Sequence, residues 1–297
     1  MYETIANPNH EELLKKQPNI IYKYLDWNNI YYQKVLTENE LFFSSPKNFN
    51  DPFDCKIEKR YDLMSNDEVD IYLEKLLRFK SKIENLNWSD HKMKSELLKL
   101  KNNTDFKDLE KMKSDNEYQF SQINNFYSVF CTSKKWNSIA MWGYYALNHT
   151  GICLGFNLKK IFFSGKIGTG ALVTYDEYPI LKPNQSFAEK AHKQAYYKSK
   201  DWCHEEEYRL MTYNLPKNIN GLVLDEEKNL KGIKITSNDD WYDELYLGLN
   251  FPENMIIDIL SKCKAKILKG MRVYRVKKVH FQFALTREEI DYSKYKI

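Results

Sequence analysis

The stretch Asp201-Trp202-Cys203-His204-Glu205-Glu206-Glu207-Tyr208-Arg209-Leu210-Met211 sets three adjacent carboxylates between an aromatic ring and an arginine, where an apolar strand begins. On an extended strand successive side chains alternate faces. Glu205 and Glu207 are therefore expected on one face, and Glu206 on the other with Tyr208 and Leu210. Two carboxylates held together raise each other's pKa unless a cation answers them, and Arg209, on the face of Glu207, is the expected cation. Such a pair can supply fixed negative charge to a developing cation, or oxygen ligands to a divalent metal. It can also be no more than an edge strand charged against aggregation. His204 has no partner at metal-ligand spacing, so no metal site is expected there. Cys203 and His204 are neighbours on a strand and point apart, which argues against a nucleophilic dyad.

The elements that must position these residues are legible in part. Asn19 to Leu25 is β-branched and aromatic, a predicted strand, and Trp27 to Leu36 has helical spacing with Ile30, Val35 and Leu36 inward. Glu40 to Ser45 reads as a strand running into Pro46 to Asp54, whose prolines, asparagines and aspartates enforce an ordered turn. Between Ser65 and Tyr118, Val69, Leu73, Leu76 and Leu77, then Met93, Leu97, Leu98 and Leu100, fall at helical spacing among many Lys and Glu, which marks a helical insertion, 65–118. Further strands are expected at Phe126–Ser133, Gly151–Phe156, Ala171–Tyr175, Glu207–Tyr213, Gly221–Leu224, Gly232–Ile235, Glu244–Leu247 and Met271–Val276. Helices are expected at Ser138–Leu147, Ser186–Tyr197 and Pro252–Ala265. The sum is an α+β chain with a central, mostly antiparallel sheet, read as one elaborated domain over 1–297 because no Pro/Gly/Ser-rich linker divides it.

With 29% charged residues, 15% aromatic and a net charge of +4 spread along the chain, the composition is that of a globular protein and singles out no nucleic-acid face. Five cysteines without metal spacing or a Cys-x-x-Cys pair suit a reducing cytoplasm. The chain shows no basic-then-apolar leader and no run near the roughly 18 apolar residues of a spanning helix, so neither secretion nor membrane insertion is expected.

Three segments together resemble one pattern: Leu41-Phe42-Phe43-Ser44-Ser45-Pro46 with Phe49-Asn50-Asp51-Pro52-Phe53-Asp54; Met141-Trp142 with Tyr145-Ala146, His149 and Gly151; and Trp202 with Glu205, Glu207, Tyr208 and Arg209. They resemble the bacterial domain of unknown function 2971 family. The chain has Tyr144-Tyr145-Ala146 where that pattern usually has His-Tyr-Ala. The order of elements is in turn similar to the ADP-ribosyltransferase plan of DarT-like toxins, in which a catalytic Glu opens a late strand. Tyr22, Leu41 to Ser45, Phe126 to Ala146 and Glu207 to Met211 follow that order.

This second resemblance implies an ADP-ribosyltransferase-like sheet and an enzyme that consumes NAD as substrate, a transferase or an NAD glycohydrolase acting as a bacterial toxin or phage-defence effector. Glu207, with Glu205 and Arg209, is then the expected catalytic group. Tyr22, Trp142 and Tyr145 would form an aromatic floor for the flat, cationic nicotinamide, and Lys23, Arg209, Ser44 and Ser45 would meet the diphosphate. Asn50 and Asp51 would join the ligand contacts, or with Asp54 only tie their turn. The expected partners are a macromolecular acceptor, nucleic acid or protein, and a partner protein or antitoxin, and no membrane is expected as a partner. The rival readings are a nuclease toxin holding Mg²⁺ with Asp51, Asp54, Glu205 and Glu207, and a sensor or adaptor that binds through its helical insertion.

Overall fold

The computed structural model describes residues 16–106, 108–213, 222–224 and 230–295. Its contacts divide the chain into a sheet unit, Met1–Asn50, Asn124–Tyr175 and Lys198–Ile297, and a helical unit, Asp51–Ile123 and Asp176–Tyr197.

The strands of the main sheet are β1 (Ile20–Leu25), β2 (Glu40–Ser44), β3 (Tyr127–Ser133), β4 (Ile152–Asn157), β5 (Thr169–Leu172), β6 (Glu207–Tyr213), β7 (Leu222–Leu224), β8 (Leu230–Thr236), β9 (Tyr242–Leu247), β10 (Arg272–Lys278) and β11 (Leu285–Glu289). Their order is β11-β10-β9-β4-β1-β3-β2-β8-β7, with β6 joined to β3 and β5. Among the described strand pairs of this main sheet only β9 with β10 is parallel, so the sheet is mostly antiparallel as expected. Gly221, expected to open β7, lies outside the described residues. The sheet forks at β3. One edge of β3 pairs β6 from Tyr127↔Tyr213 to Ser133↔Glu207, and the other meets β2 at Val129 and β1 at Ser133.

Alternation along the strands gives the sheet two unlike faces. Ile21, Phe43, Phe130, Phe156, Leu210, Leu245 and Val273 fill one face, and helices cover it with Val35, Leu36, Leu158, Ile161, Ile259 and Leu260. Each such side chain contributes about 1.5–3 kcal/mol through burial. The opposite face is aromatic and polar: Tyr22, Tyr24, Cys153, Tyr246 and Tyr274 pack with Met141 and Trp142 of the helix Ile139–Tyr145.

Several local expectations are corrected. Ile30, expected inward, is 69% exposed, because the helix starts there, capped by Asn29, and only Val35 and Leu36 face the core. Leu98, also expected on an apolar stripe, is 61% exposed. The strand read at Ala171–Tyr175 is two strands, Thr169–Leu172, which pairs with β6, and the short strand Thr174–Asp176. The helix Leu158–Phe163, capped by Asn157, and the strand β11 had no counterpart in the sequence reading. In β11, Thr286, Arg287, Glu288 and Glu289 are exposed, as suits an edge, and hide the strand's periodicity.

In the helical unit, Asn66–Ile83, Asp90–Asn103 and Leu109–Ile123 occupy the stretch read as helical, joined by Phe187–Tyr196. Ser65 and Glu68 form a capping box on the first helix, and Val69, Leu73 and Leu77 are its buried stripe. Glu68 also accepts from Lys182 Nζ at 3.0 Å, and Ile57 N–H donates to Gln194 Oε1 at 2.7 Å. These bonds tie the 176–197 segment into the unit.

Candidate functional site

The acidic cluster owes its geometry to a turn that the sequence reading did not anticipate. Glu205 is not on a strand: it ends the 3-10 helix Lys200–Glu205, and Glu206 follows in the left-handed region (φ 42°) before β6 begins at Glu207. The two carboxylates still converge, as expected from their spacing, because the turn at Glu206 folds one back toward the other. Lys198 stands between them, donating to Glu205 Oε2 at 2.6 Å and Glu207 Oε2 at 3.4 Å. Arg209 answers Glu207 with a fork, Nε to Oε1 and Nη2 to Oε2, both 2.9 Å. Tyr145 donates its hydroxyl to Glu205 Oε1 at 2.5 Å. Ser133 Oγ donates to the Glu205 carbonyl at 2.7 Å, and Glu207 N–H donates to Tyr175 Oη at 2.8 Å.

Exposure decides between a charged edge and a built site. Glu205 is 3% exposed, Glu207 4% and Arg209 0%, and β6 is flanked by β3 and β5, so the charged-edge explanation fails. Burial pushes the Glu207 carboxyl up, but the charges of Arg209 and Lys198, with hydrogen bonds from Arg209 and Cys131, outweigh it and hold the group well below the usual glutamate range. Burial and the bond to Glu205 push the Tyr145 hydroxyl up, so it stays a donor. Two cations face two carboxylates, and Glu207 is held as fixed negative charge rather than as a group that exchanges protons near neutral pH.

A second polar cluster lies on the same sheet face. The registers Glu207↔Ser133, Ser133↔Tyr22, Tyr22↔Gly155, Gly155↔Glu244 and Glu244↔Arg272 form one transverse row, and directly paired residues share a face. Glu244, buried, accepts from Tyr22 at 3.0 Å and Tyr246 at 2.8 Å on Oε2. Its Oε1 accepts from Arg287 at 3.0 Å and Arg272 at 3.3 Å. Trp136 stacks on Tyr246 with ring centres 4.6 Å apart, and the Arg287 guanidinium lies 4.3 Å from the Tyr274 ring centre. Gly155 makes room for this: a Cβ there would meet Tyr22 Cε1 and Glu244 Cβ at 3.1 Å.

The structure therefore sorts the sequence-derived residues. Glu205, Glu207, Arg209 and Tyr145 form one cluster. Tyr22 is in the same row, but its hydroxyl is committed to Glu244, away from Glu207. Trp142 is fully buried, donates Nε1–H to the Trp136 carbonyl at 2.7 Å and packs edge-on to Tyr24, which makes it core rather than floor. Lys23 donates to the Cys131 carbonyl at 2.8 Å and lies over Phe130 on the apolar face. Ser44 Oγ donates to the Ser45 carbonyl at 3.2 Å, and Ser45 Oγ to that of Asn124 at 2.7 Å. Asn50 is exposed, while its neighbour Phe49 lies under the Arg209 guanidinium at 5.7 Å. Asp51, in the helical unit, accepts from Phe53 N–H at 2.9 Å within its own turn. Lys198 and Glu244 were missed. Lys198 is one of 45 basic residues and only the need for a second cation beside the glutamates points to it, whereas an acid inside the strand Tyr242–Leu247, flanked by tyrosines, was a readable signal.

Residues 141–210 match the family model of DUF2971, a protein of unknown function. The matched segment contains Trp142, Tyr145, Lys198, Glu205, Glu207 and Arg209, so one stretch carries both most of the helix over the sheet face and the charged cluster below it. The early Leu41–Asp54 segment lies outside the matched residues. No curated protein and no solved structure matches the chain. Among the described residues of the chain, no group of three or more His, Cys, Asp or Glu side chains is placed to hold a metal ion.

Proposed function

We propose that the sheet unit is an NAD-consuming enzyme, an ADP-ribosyltransferase or NAD glycohydrolase of ADP-ribosyltransferase-like fold, serving as a bacterial toxin or phage-defence effector. The observation that carries this reading is the buried, ionised Glu207. Breaking the bond between ribose C1′ and the nicotinamide nitrogen sends the bonding electrons to nicotinamide and leaves oxocarbenium character on the ribose, which a fixed carboxylate stabilises. Lys198 and Arg209 hold Glu207 in the charged form and orient it. Half-buried Tyr145 is the aromatic side chain best placed for the nicotinamide, in place of Trp142. Lys134 and Lys135, exposed and paired with Glu206, are the cations beside the cluster for the diphosphate, in place of Lys23. An acceptor nucleophile, water or a macromolecule, then completes the transfer.

The nuclease alternative would require Glu205 and Glu207 to exchange Lys198 and Arg209 for a divalent cation, whereas the NAD reading leaves those contacts in place and uses the charge that they hold. The adaptor alternative keeps one observation in its favour, the exposed apolar stripe Leu76, Phe79 and Ile83 on the helix Asn66–Ile83. Incubating the purified chain with NAD, and separately with Mg²⁺ and nucleic acid, distinguishes the three. The proposal expects nicotinamide release in the first, and strand cleavage in the second with none in the first would replace it.

A further inference from the structure

The turn Val279–Ala284 between β10 and β11 puts two aromatic rings fully into water, with relative exposures of 106% for Phe281 and 103% for Phe283. The turn is ordered: Val279 N–H donates to the Ala284 carbonyl at 3.0 Å, and Gln282 N–H to the Val279 carbonyl at 3.4 Å. Phe281 sits in the left-handed region (φ 60°), which a bulky side chain rarely adopts and which Asn or Gly takes at less cost. Turn geometry thus disfavours phenylalanine at 281, and the hydrophobic effect disfavours leaving either ring exposed. A surface that takes both rings resolves the conflict.

The surroundings specify that surface. Residues 277–286 carry Lys277, Lys278 and His280 and no acid, and Glu288 reaches Lys277 at 3.4 Å only from further along β11. The exposed charges Arg287, Glu288 and Glu289 on the edge strand oppose pairing with another strand, which leaves the tip itself as the contact. We propose that this hairpin tip docks on an anionic lipid surface, the two rings entering the boundary between headgroups and acyl chains and the two lysines lying at headgroup level. Rings with a basic collar are the combination that an anionic bilayer binds. An apolar protein groove would need the rings but not the basic collar. Among the described residues no helix is long and apolar enough to cross a membrane, so the contact is peripheral. This inference is independent of the NAD reading.

The test is co-sedimentation of the full chain with phosphatidylcholine vesicles and with vesicles containing phosphatidylglycerol. The expected result is binding that rises with the anionic fraction and falls with salt. Phe281→Asn with Phe283→Ser should lower it at least tenfold without lowering Tm, since Asn suits the turn. Lys277→Gln with Lys278→Gln should remove the preference for anionic vesicles. Absence of sedimentation with either vesicle overturns the proposal, as does a double phenylalanine variant that sediments like the wild type. Oligomers that need both rings, formed by a chain that ignores vesicles, would assign the tip to a second copy instead.

Discussion

Replacing Lys198 with methionine keeps an unbranched side chain one atom shorter and removes the charge that joins Glu205 to Glu207. Both partners and the lysine itself are almost fully buried, with side-chain exposures of 6% for Lys198 and 4% for each glutamate. Removing one member of a buried ion pair costs about 3–5 kcal/mol, because the remaining charge is left desolvated and unanswered. In a unit of this size each kcal/mol moves Tm by about 2–4 °C, so a fall of about 6–20 °C is expected at pH 7.5. The loss should shrink at pH 5.5. Without the lysine two close carboxylates raise each other's pKa, and one of them takes a proton as the pH falls. Adding Glu205→Gln should recover part of the loss by removing one of the two facing charges. The assay is thermal unfolding followed by circular dichroism at both pH values. A fall below about 2 °C, less than 1 kcal/mol on the same scale, would show that the network contributes nothing at this point. A loss that does not shrink in acid would show that like-charge repulsion is not its cause.

Other outcomes follow from the same contacts. The Glu207 carboxyl is held below its ordinary value near 4.5; its contribution is therefore complete above that pH and lost as the pH falls toward the lower folded value. Urea midpoints measured from pH 6 to pH 3 should drop through that interval, and drop less in Glu207→Gln. Gly155→Ala should cost about 1–3 kcal/mol by overpacking against Ile20, Tyr22 and Glu244; an unchanged Tm would mean that the Tyr22 ring does not depend on that gap. Ser65→Ala removes the cap of the first helix of the helical unit and should cost about 1 kcal/mol, read as faster amide exchange in residues 66–69.

The sheet was legible wherever β-branched and aromatic residues alternate, as in Ile20–Leu25 and Glu207–Tyr213, because a half-buried strand has a period of two. The edge strand Leu285–Glu289 was not legible, since its solvated residues carry charge at successive positions. Arg209 as partner of Glu207 could be read, because residues two apart on a strand share a face. Lys198 could not, because a contact between a lysine before a 3-10 helix and the carboxylates at its end and beyond it depends on one left-handed residue, Glu206. Trp142 and Tyr145 lie three apart on a short helix, and spacing gave no ground for separating them: one is core, and the other reaches Glu205. Tyr22 was placed correctly on its strand, but which way its ring leans is decided by Gly155 on the neighbouring strand, information that a single strand does not hold.

Nicotinamide release by the wild type and by Glu207→Gln tests most directly the proposal that Glu207 supplies the charge for cleavage of NAD. The amide leaves buried Arg209 without its carboxylate, so the variant should melt earlier, and both proteins are compared at a temperature where each is folded by circular dichroism. Wild-type chain should release nicotinamide, and the variant should do so about 10²–10³-fold more slowly, the usual cost of losing one preorganised transition-state contact. A folded wild type that releases none, or a variant that keeps its rate, would contradict the assignment.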